Sequence, residues 1–308
     1  MFNSSVQKLA GKTVYLHIGI GKTGTSAIQV TLSNDSDSLL QRGYCYPKAG
    51  RPGVGHHNLA KLRCDIVPDD IQDTFYQVAG EFHESGTDCM VLSSEYFCFL
   101  ESGYIRWISE LFSLSNVKVV FYIRDHVDLI LSTFLQWVKV GDDYKGDIVN
   151  FFNAYKAAFD YETRLRPWID FFGEDSIILK LYDKKFSQDI GSHFYNSIGL
   201  NDFKSPTILK SNPSLLPEFF DIISAVDKIS IEKKTRQEIV DKLLLNSKKF
   251  KKCSTLELID PELKSTIYNT YNSSNERIAN EYLTTDEKIV FLKEDIQKKR
   301  SIFTRFFG

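Results

Sequence analysis

Short apolar runs, each closed by glycine or by a charged or polar residue, recur through the first part of the chain. Residues 13–18 read Thr-Val-Tyr-Leu-His-Ile and end at a glycine-rich segment. Similar runs cover 88–94, 117–123 and 176–182. Runs of this length that are rich in β-branched and apolar residues predict buried strands.

Apolar positions at helical spacing fill the segments between these runs. Gly173 follows the last of them, where a helix C-cap is expected. Strands that alternate with helices predict a mostly parallel sheet with helices on both faces, so the expected fold class is α/β with three layers. The predicted helices cover 69–84, 102–112, 127–140 and 147–172.

Beyond residue 212 the pattern is almost wholly helical. Asp260 precedes Pro261, which is the arrangement of an N-cap followed by proline at the first helical position. The segment 273–276, Ser-Ser-Asn-Glu, has the spacing of a capping box and predicts a second helix start. We therefore predict a single domain over 1–308, with an α/β core over 12–211 and a helical C-terminal extension over 212–308.

Composition narrows the class of protein. The 308 residues carry 38 Lys+Arg against 40 Asp+Glu, a formal charge of −2, and 43% are hydrophobic. These values exclude a disordered chain, and they argue against a nucleic-acid binder, whose domain pI usually exceeds about 9. The five cysteines form no C-x-x-C pair, and the N-terminus shows no secretory leader pattern. The sequence also contains no apolar run long enough to span a membrane. Together these features predict a cytoplasmic protein with free thiols.

The glycine-rich segment Gly19-Ile20-Gly21-Lys22-Thr23-Gly24 lies between a predicted strand and a predicted helix. Such a loop presents backbone N–H groups to an anion, and the helix dipole adds to the attraction. Lys22 supplies a full positive charge, and Thr23, Thr25 and Ser26 supply hydroxyl donors. These residues therefore favour a loop that binds a phosphate or sulfate group over a glycine-rich turn that binds no ligand.

The nucleoside-triphosphate loop G-x-x-x-x-G-K-[ST] does not match, because position 16 holds Leu16 instead of glycine. In NTPases a later strand also ends in an aspartate that holds magnesium. Here the run 117–123 ends at Arg124, whose charge repels a cation. Glu95, at the end of the run 88–94, is an alternative magnesium ligand, so magnesium is disfavoured but not excluded.

Arg124 is a second candidate anion site. Ser132 lies about two turns into the helix that follows, and together the two side chains are able to hold one phosphate. The alternative is an arginine paired with Asp125 or Asp128 and a serine bonded to its own helix.

These residues resemble a known family. The run His17-Ile18-Gly19-Ile20-Gly21-Lys22-Thr23-Gly24-Thr25-Ser26, with Gln29, resembles the 5′-phosphosulfate loop of PAPS-dependent sulfotransferases. Arg124 with Ser132 resembles their 3′-phosphate motif. Segments along nearly the whole chain are similar to bacterial carbohydrate sulfotransferases, including Gly43–Pro47, His56–Ala60, Ser93–Phe97, Gln136–Gly141, Trp168–Gly173, Asn212–Ser214 and Ser274–Arg277.

The resemblance implies a P-loop NTPase-like fold and PAPS (3′-phosphoadenosine 5′-phosphosulfate) as sulfuryl donor, with no metal. It implies that Lys22 stabilises the charge that grows on the bridging oxygen. It also implies that the N–H groups of Thr23, Gly24 and Thr25, with the Thr25 and Ser26 hydroxyls, hold the phosphate. The acceptor implied is a hydroxyl of a carbohydrate, in a cell-surface polysaccharide or a glycolipid.

The acceptor hydroxyl has to lose a proton, so a general base is expected. One candidate is His57, in a loop with Gly53 and Gly55; the other is Glu95 at its strand end. Either residue has a plainer interpretation, His57 as a surface-loop histidine and Glu95 as a partner of Lys22 or His17. A metal cluster of the histidines is disfavoured, because no carboxylate or cysteine shares their spacing.

Aromatic residues make up 13% of the chain, and most are expected in the core. Tyr15, Phe121 and Tyr122 are predicted on buried strands, and Phe134, Phe171 and Phe172 on apolar helix faces. Candidates to line an acceptor site are Tyr44, Tyr46, Tyr96, Phe97, Trp137 and Tyr144.

Two basic and aromatic segments, 248–252 and 298–307, fit a peripheral membrane contact or a polyanionic acceptor, although solvated helix faces explain them more simply. Two other functions remain open for the whole chain. One is a nucleotide kinase or NTPase with a degenerate loop, and the other is a non-catalytic anion- or glycan-binding module.

Overall fold

A computed structural model describes residues 1–60, 64–141, 146–183, 185, 189–205, 219–229, 231–246 and 258–293. The strands are β1 (Thr13–Gly19), β2 (Tyr44–Cys45), β3 (Cys89–Ser93), β4 (Asn116–Ile123) and β5 (Ile177–Leu181). The helices are α1 (Phe2–Lys8), α2 (Thr25–Asn34), α3 (Ser36–Leu40), α4 (Asp69–Ser85), α5 (Ser102–Leu111), α6 (His126–Val140), α7 (Ile148–Tyr155), α8 (Tyr161–Phe172), α9 (Ile190–Ser197), α10 (Phe220–Asp227), α11 (Lys233–Asn246), α12 (Pro261–Tyr282) and α13 (Thr285–Leu292). Short 3₁₀ turns cover His57–Leu59, Phe97–Phe99, Lys156–Phe159 and Glu174–Ser176.

The five strands form one parallel sheet in the order β2-β3-β1-β4-β5. β1 lies in the centre, where Tyr15 pairs with Val91 of β3 and with Lys118 of β4. Because every strand runs the same way, the carboxyl ends of β1, β3 and β4 meet at one edge of the sheet. That edge therefore brings together the segments that follow them in sequence.

Helices cover both faces of the sheet. On one face Val91 and Tyr122 pack in a cluster with Ile28 of α2 and Phe194 of α9. On the other face Phe121 meets the ring of Tyr161, the first residue of α8, with ring centroids 6.0 Å apart. The α/β three-layer fold with a parallel sheet is confirmed, as are the four predicted strands.

The predicted helix over 147–172 is wrong as one element. The chain forms α7, a 3₁₀ turn and α8, and Asp160 between them is extended, with φ −74° and ψ 111°. The carbonyl of Phe159 lies 3.0 Å from Nε2 of His126. The Tyr161 hydroxyl donates to the carbonyl of Arg124 over 2.6 Å. These long-range bonds compete with a continuous helix and break it.

The predicted helix start at 273–276 is also wrong. Asp260 caps α12, because its carboxylate accepts the Leu263 N–H over 2.7 Å, and beyond Pro261 at its first position the helix contains no glycine or proline up to Tyr282. The capping box occurs instead at Thr284 and Glu287, at the start of α13. In the described ranges beyond residue 219 the elements are helices, as predicted.

The chain divides into two compact units. The first comprises 1–124, 161–209 and 274–308 and contains the sheet; the second comprises 125–160 and 210–273 and is helical where described. In the second unit the ring of Phe134 packs against Phe151 and Phe220, with centroids 5.5 and 5.2 Å away. The predicted division at 211 and 212 falls outside the described residues and stays a prediction.

Two further observations concern the cysteines and the possibility of a membrane-spanning helix. Four cysteines are free thiols: Cys45, Cys64, Cys89 and Cys98. No helix within the described ranges is long and apolar enough to cross a bilayer.

Candidate functional site

The glycine loop leads from β1 into α2 as predicted. Lys22 has a positive φ of 69°, and Gly24, with φ 84°, is the N-cap of α2. No side chain caps this helix, and its first turn contains no acidic residue. The first N–H groups of α2 thus have no capping side chain, and the positive end of its dipole is not neutralised from within the helix, as anion binding requires.

The three hydroxyls of the loop differ in what they can contact. The Thr23 hydroxyl donates to the carbonyl of Ile20 and Thr23 is fully buried, so this hydroxyl stabilises the loop and is not available to a ligand. Thr25 is buried and Ser26 is exposed, and neither hydroxyl has a hydrogen-bond partner among the described residues. Thr25 and Ser26 therefore remain the hydroxyl donors of the predicted set.

Tyr182, which sequence reasoning did not assign to the site, packs on the loop. A Cβ placed on Gly24 would lie 2.9 Å from the Tyr182 ring and 3.0 Å from Ile190. Tyr182 follows β5, and its N–H bonds to the carbonyl of Ile123 over 2.7 Å. An aromatic residue at a strand end was the available signal, but only the strand order shows that it meets the loop.

Arg124 reaches the loop from the end of β4. Its Nη1 donates to the carbonyl of Lys22 over 3.2 Å, and its guanidinium lies 5.6 Å from the centroid of the Tyr182 ring. Tyr161 fixes the arginine backbone, since the Tyr161 hydroxyl accepts the Arg124 N–H over 3.1 Å and donates to its carbonyl. A second positive charge thus stands beside Lys22.

Ser132 belongs to the second unit, on α6, and is half-buried. Its hydroxyl has no hydrogen-bond partner among the described residues. Its partnership with Arg124 in one phosphate site stays a prediction.

The two candidate bases lie next to each other. Nδ1 of His57 is 3.8 Å from Oε2 of Glu95, and both side chains are about a quarter exposed, at 25% and 23%. Nδ1 also lies 3.0 Å from the hydroxyl of Ser94. A Cβ on Gly19 would lie 3.0 Å from Cα of Glu95, so the end of β1 passes directly against Glu95.

Gln29 holds the carboxylate of Glu95. Its Nε2 donates to Oε2 of Glu95 over 2.8 Å. Glu95 is therefore bonded to Gln29 and faces His57, whereas His17, suggested as its partner, instead contacts the hydroxyl of Ser93 over 2.8 Å.

The other two histidines near the loop are structural. Burial lowers the pKa of His17 and of His56 to about 3, so both rings are neutral. His56 accepts the Ser93 N–H at Nδ1, and its Nε2 donates to the carbonyl of Pro47. Within the residues that the structure describes, no group of three or more metal-ligating side chains is present.

The aromatic candidates separate by burial. Tyr46 and Phe97 belong to the core, at 3% and 1% exposure, and so cannot line an acceptor site. Tyr96 is 45% exposed, and its ring centroid lies 5.0 Å from that of His57. The hydroxyl of Tyr44 is engaged, since it donates to the carbonyl of Ile198.

The remaining aromatic predictions fall elsewhere. Trp137 is half-buried in the second unit, and Tyr144 lies outside the described residues, as do the basic segments 248–252 and 298–307. Phe171 is exposed, contrary to the prediction, because α8 buries the face formed by Tyr161, Leu165 and Trp168.

Comparison with known proteins gives limited similarity. No protein-family model matches the chain. Over 222 residues it is 24% identical to an uncharacterized protein of Archaeoglobus fulgidus, an alignment that covers 68% of this chain and 57% of that protein, so the chain spans less than two thirds of the relative's length.

Among solved structures, the chain is similar to a sulfotransferase from Alicyclobacillus acidocaldarius, with a TM-score of 0.42 and 17% identity. The match covers 73% of this chain and 94% of that one. At these levels of similarity a functional assignment rests on the site itself.

Proposed function

We propose that this protein is a PAPS-dependent sulfotransferase that transfers a sulfuryl group to a hydroxyl of a carbohydrate acceptor, a cell-surface polysaccharide or a glycolipid. The observation that carries the proposal is the position of Arg124. It follows β4 and donates into the loop that holds Lys22, where an NTPase would place a magnesium-binding aspartate. Two cationic residues, Lys22 in the loop and Arg124 donating into it, together with an uncapped helix N-terminus, suit an anionic donor that needs no metal.

The chain's residues fit this donor. The N–H groups of Thr23, Gly24 and Thr25, with the hydroxyls of Thr25 and Ser26, would hold the 5′-phosphate at the start of α2. Arg124 would hold the 3′-phosphate. When bound, PAPS supplies the sulfuryl group.

In the reaction the chain's residues accept the proton of the acceptor hydroxyl and stabilise the charge on the leaving group. A bond forms between the acceptor oxygen and sulfur while the bond from sulfur to the bridging oxygen breaks, and the acceptor proton passes to His57 or Glu95. Lys22 stabilises the negative charge that develops on the leaving phosphate oxygen. Positioning and charge stabilisation of this kind supply most of the catalysis in such transfers.

The test is transfer of labelled sulfate from PAPS to an extracted glycan pool, followed by mass analysis of the product. We expect labelled glycan with the wild-type protein and a loss of label with Lys22→Ala. PAP (3′-phosphoadenosine 5′-phosphate) is what remains of PAPS once the sulfuryl group has left. If Lys22→Ala changes only the affinity for PAP and neither protein transfers label, the chain is a non-catalytic binding module.

A melting experiment separates the proposal from a kinase or NTPase. PAP at about 100 times its dissociation constant stabilises the native state by about 2.7 kcal/mol. We expect PAP to raise the melting temperature without magnesium. If ATP with magnesium raises it and PAP does not, the proposal is wrong.

A further inference from the structure

Gln29 links the phosphate loop to the two candidate bases. It lies one helical turn after Thr25 on α2 and is 2% exposed. Its amide donates to Oε2 of Glu95, the carboxylate oxygen that lies 3.8 Å from Nδ1 of His57. The amide therefore determines which oxygen of Glu95 faces the histidine.

Gly55 leaves the space that this amide occupies. A Cβ at position 55 would lie 2.7 Å from Cδ, 2.8 Å from Oε1 and 2.9 Å from Nε2 of Gln29. Real Cβ atoms do not approach other atoms this closely, so any side chain at position 55 would displace the Gln29 amide. Glycine at position 55 therefore leaves the Gln29 amide in the place that the structure shows.

The loop that carries His57 is fixed to the end of β3. The His56 N–H donates to the carbonyl of Ser93 over 2.7 Å, and Nδ1 of His57 lies 3.0 Å from the Ser94 hydroxyl. In this position Nδ1 also faces the Glu95 carboxylate, 3.8 Å from Oε2. Nε2 has no hydrogen-bond partner among the described residues.

We propose that Gln29 and Gly55 are positioning residues that hold the Glu95 carboxylate against Nδ1 of His57, so that Nδ1 carries the ring proton and Nε2 is the base. A carboxylate beside Nδ1 attracts an N–H and repels a lone pair, which favours the Nδ1–H tautomer. This inference rests on the proposed function and assigns the two candidate bases different roles.

The proton balance follows from this arrangement. As the acceptor oxygen bonds to sulfur, its proton passes to Nε2 of His57, and the ring becomes an imidazolium. Glu95 keeps its negative charge throughout and stabilises the imidazolium. Glu95 is therefore a positioning residue that acts through His57.

The tautomer of His57 tests this directly, through nitrogen-15 NMR of the histidine rings, with the His57 signals identified by their loss in His57→Gln. We expect the Nδ1–H form in the wild type. In Gly55→Ala and Gln29→Leu we expect Nε2–H to gain population, because the carboxylate is no longer held at Nδ1. Gly53→Ala is the matched control, since a Cβ at Gly53 meets nothing within 4 Å.

Kinetics give the second readout. A displacement of about 1 Å at a reacting group can cost about 10²-fold in rate, so we expect Gly55→Ala and Gln29→Leu to lower kcat by up to that factor while KM for PAPS stays within about twofold. If Gly55→Ala does not fold, Gln29→Met, which removes only the amide, tests the same contact. A wild-type tautomer in the folded Gln29 variants overturns the proposal.

The two inferences fail in different ways. If the tautomer changes as expected but no variant, nor the wild type, transfers sulfate, then the proposed function is wrong and the positioning of His57 stands. If transfer occurs and the tautomer is the same in wild type, Gln29→Leu and Gly55→Ala, then the positioning role is wrong and the proposed function stands.

Discussion

Lys22 carries the loop's charge in a left-handed backbone conformation, with φ 69°, that is unfavourable for a residue with a side chain. The conformation costs about 1–2 kcal/mol relative to the right-handed one. A strained residue in a candidate anion-binding loop is the pattern expected where geometry serves binding or chemistry rather than stability. Lys22 is therefore a residue whose stability and activity effects can be separated.

We predict that Lys22→Ala and Lys22→Gly lose sulfate transfer equally, by about 10²–10³-fold, because both remove the ammonium. The glycine variant should be more stable than the alanine variant by about 1 kcal/mol, since glycine tolerates positive φ. Single-turnover transfer and urea unfolding measure the two effects. Equal stability of the two variants would contradict the role of strain, and a surviving rate in either would contradict the role of the charge.

The N-cap of α2 gives a second test at a single residue. Gly24→Ala places a Cβ 2.9 Å from Tyr182 at a φ of 84°, and we predict a loss of about 2 kcal/mol in the free energy of unfolding together with weaker PAP binding. Gly21→Ala is the control for stability, because a Cβ there meets nothing within 4 Å. Thermal unfolding and calorimetry with PAP measure both quantities. Equal melting temperatures for the two variants would show that Tyr182 does not constrain position 24.

The residues whose place in the fold the sequence predicted best are those that are neighbours along the chain. Lys22, Thr25 and Ser26 are contiguous between a strand and a helix, so the pattern of the loop alone places them together. The contact between Gln29 and Glu95 joins positions 66 apart, and that between Arg124 and the Lys22 carbonyl joins positions 102 apart. Such contacts depend on strand order and register, which a single sequence does not determine.

At the scale of elements, the short apolar runs predicted four strands and the helical spacing of apolar residues predicted most helices between them, and the errors lie where side chains from distant elements intervene. The break at Asp160 follows from bonds made by His126 and Tyr161. The two-residue strand β2 was not predicted, because it is defined by its pairing with β3 and not by its own pattern. The capping-box spacing at 273–276 is local, but it lies within a helix that is already capped at Asp260.

Helix α6 ends at Val140 with Gly141 as its C-cap, and two of its last carbonyls accept hydrogen bonds from one side chain. Arg236 donates to the carbonyl of Val138 over 2.7 Å and to that of Lys139 over 3.3 Å, and it pairs with Asp227. The arginine side chain is 12% exposed. Hydrogen bonds of a buried charged donor contribute more than those of an exposed pair.

We predict that Arg236→Ala lowers the free energy of unfolding by about 2 kcal/mol, because it leaves two helix carbonyls and Asp227 without this donor. Arg166→Ala is the control, since Arg166 is 53% exposed and its pair with Glu162 spans 3.7 Å; it should cost less than about 0.5 kcal/mol. Urea unfolding at neutral pH compares them. Similar losses in both variants would mean that Arg236 acts as an ordinary surface charge.

At the scale of the whole molecule, the two units share one source of acid sensitivity. Burial lowers the pKa of His17 and of His56, in the first unit, to about 3, and that of His126, in the second, to about 4. In the unfolded chain each of these histidines takes up a proton below a pH of about 6.5, whereas in the native state each stays neutral. The unfolded state therefore binds more protons in this range, and stability falls as the pH falls from about 6.5 towards 4.

We predict that each of these histidines makes the protein about 2 kcal/mol less stable at pH 5 than at neutral pH, because pH 5 is about 1.5 units below the unfolded value. Urea unfolding across this range should show the slope, up to about 1.4 kcal/mol per pH unit for each histidine. His56→Gln and His126→Gln should each reduce the slope by the contribution of one proton, up to about 1.4 kcal/mol per pH unit. The first variant tests the unit that holds the sheet and the second tests the helical unit. An unchanged slope in both variants would show that these rings are protonated in the native state, and that burial does not keep them neutral.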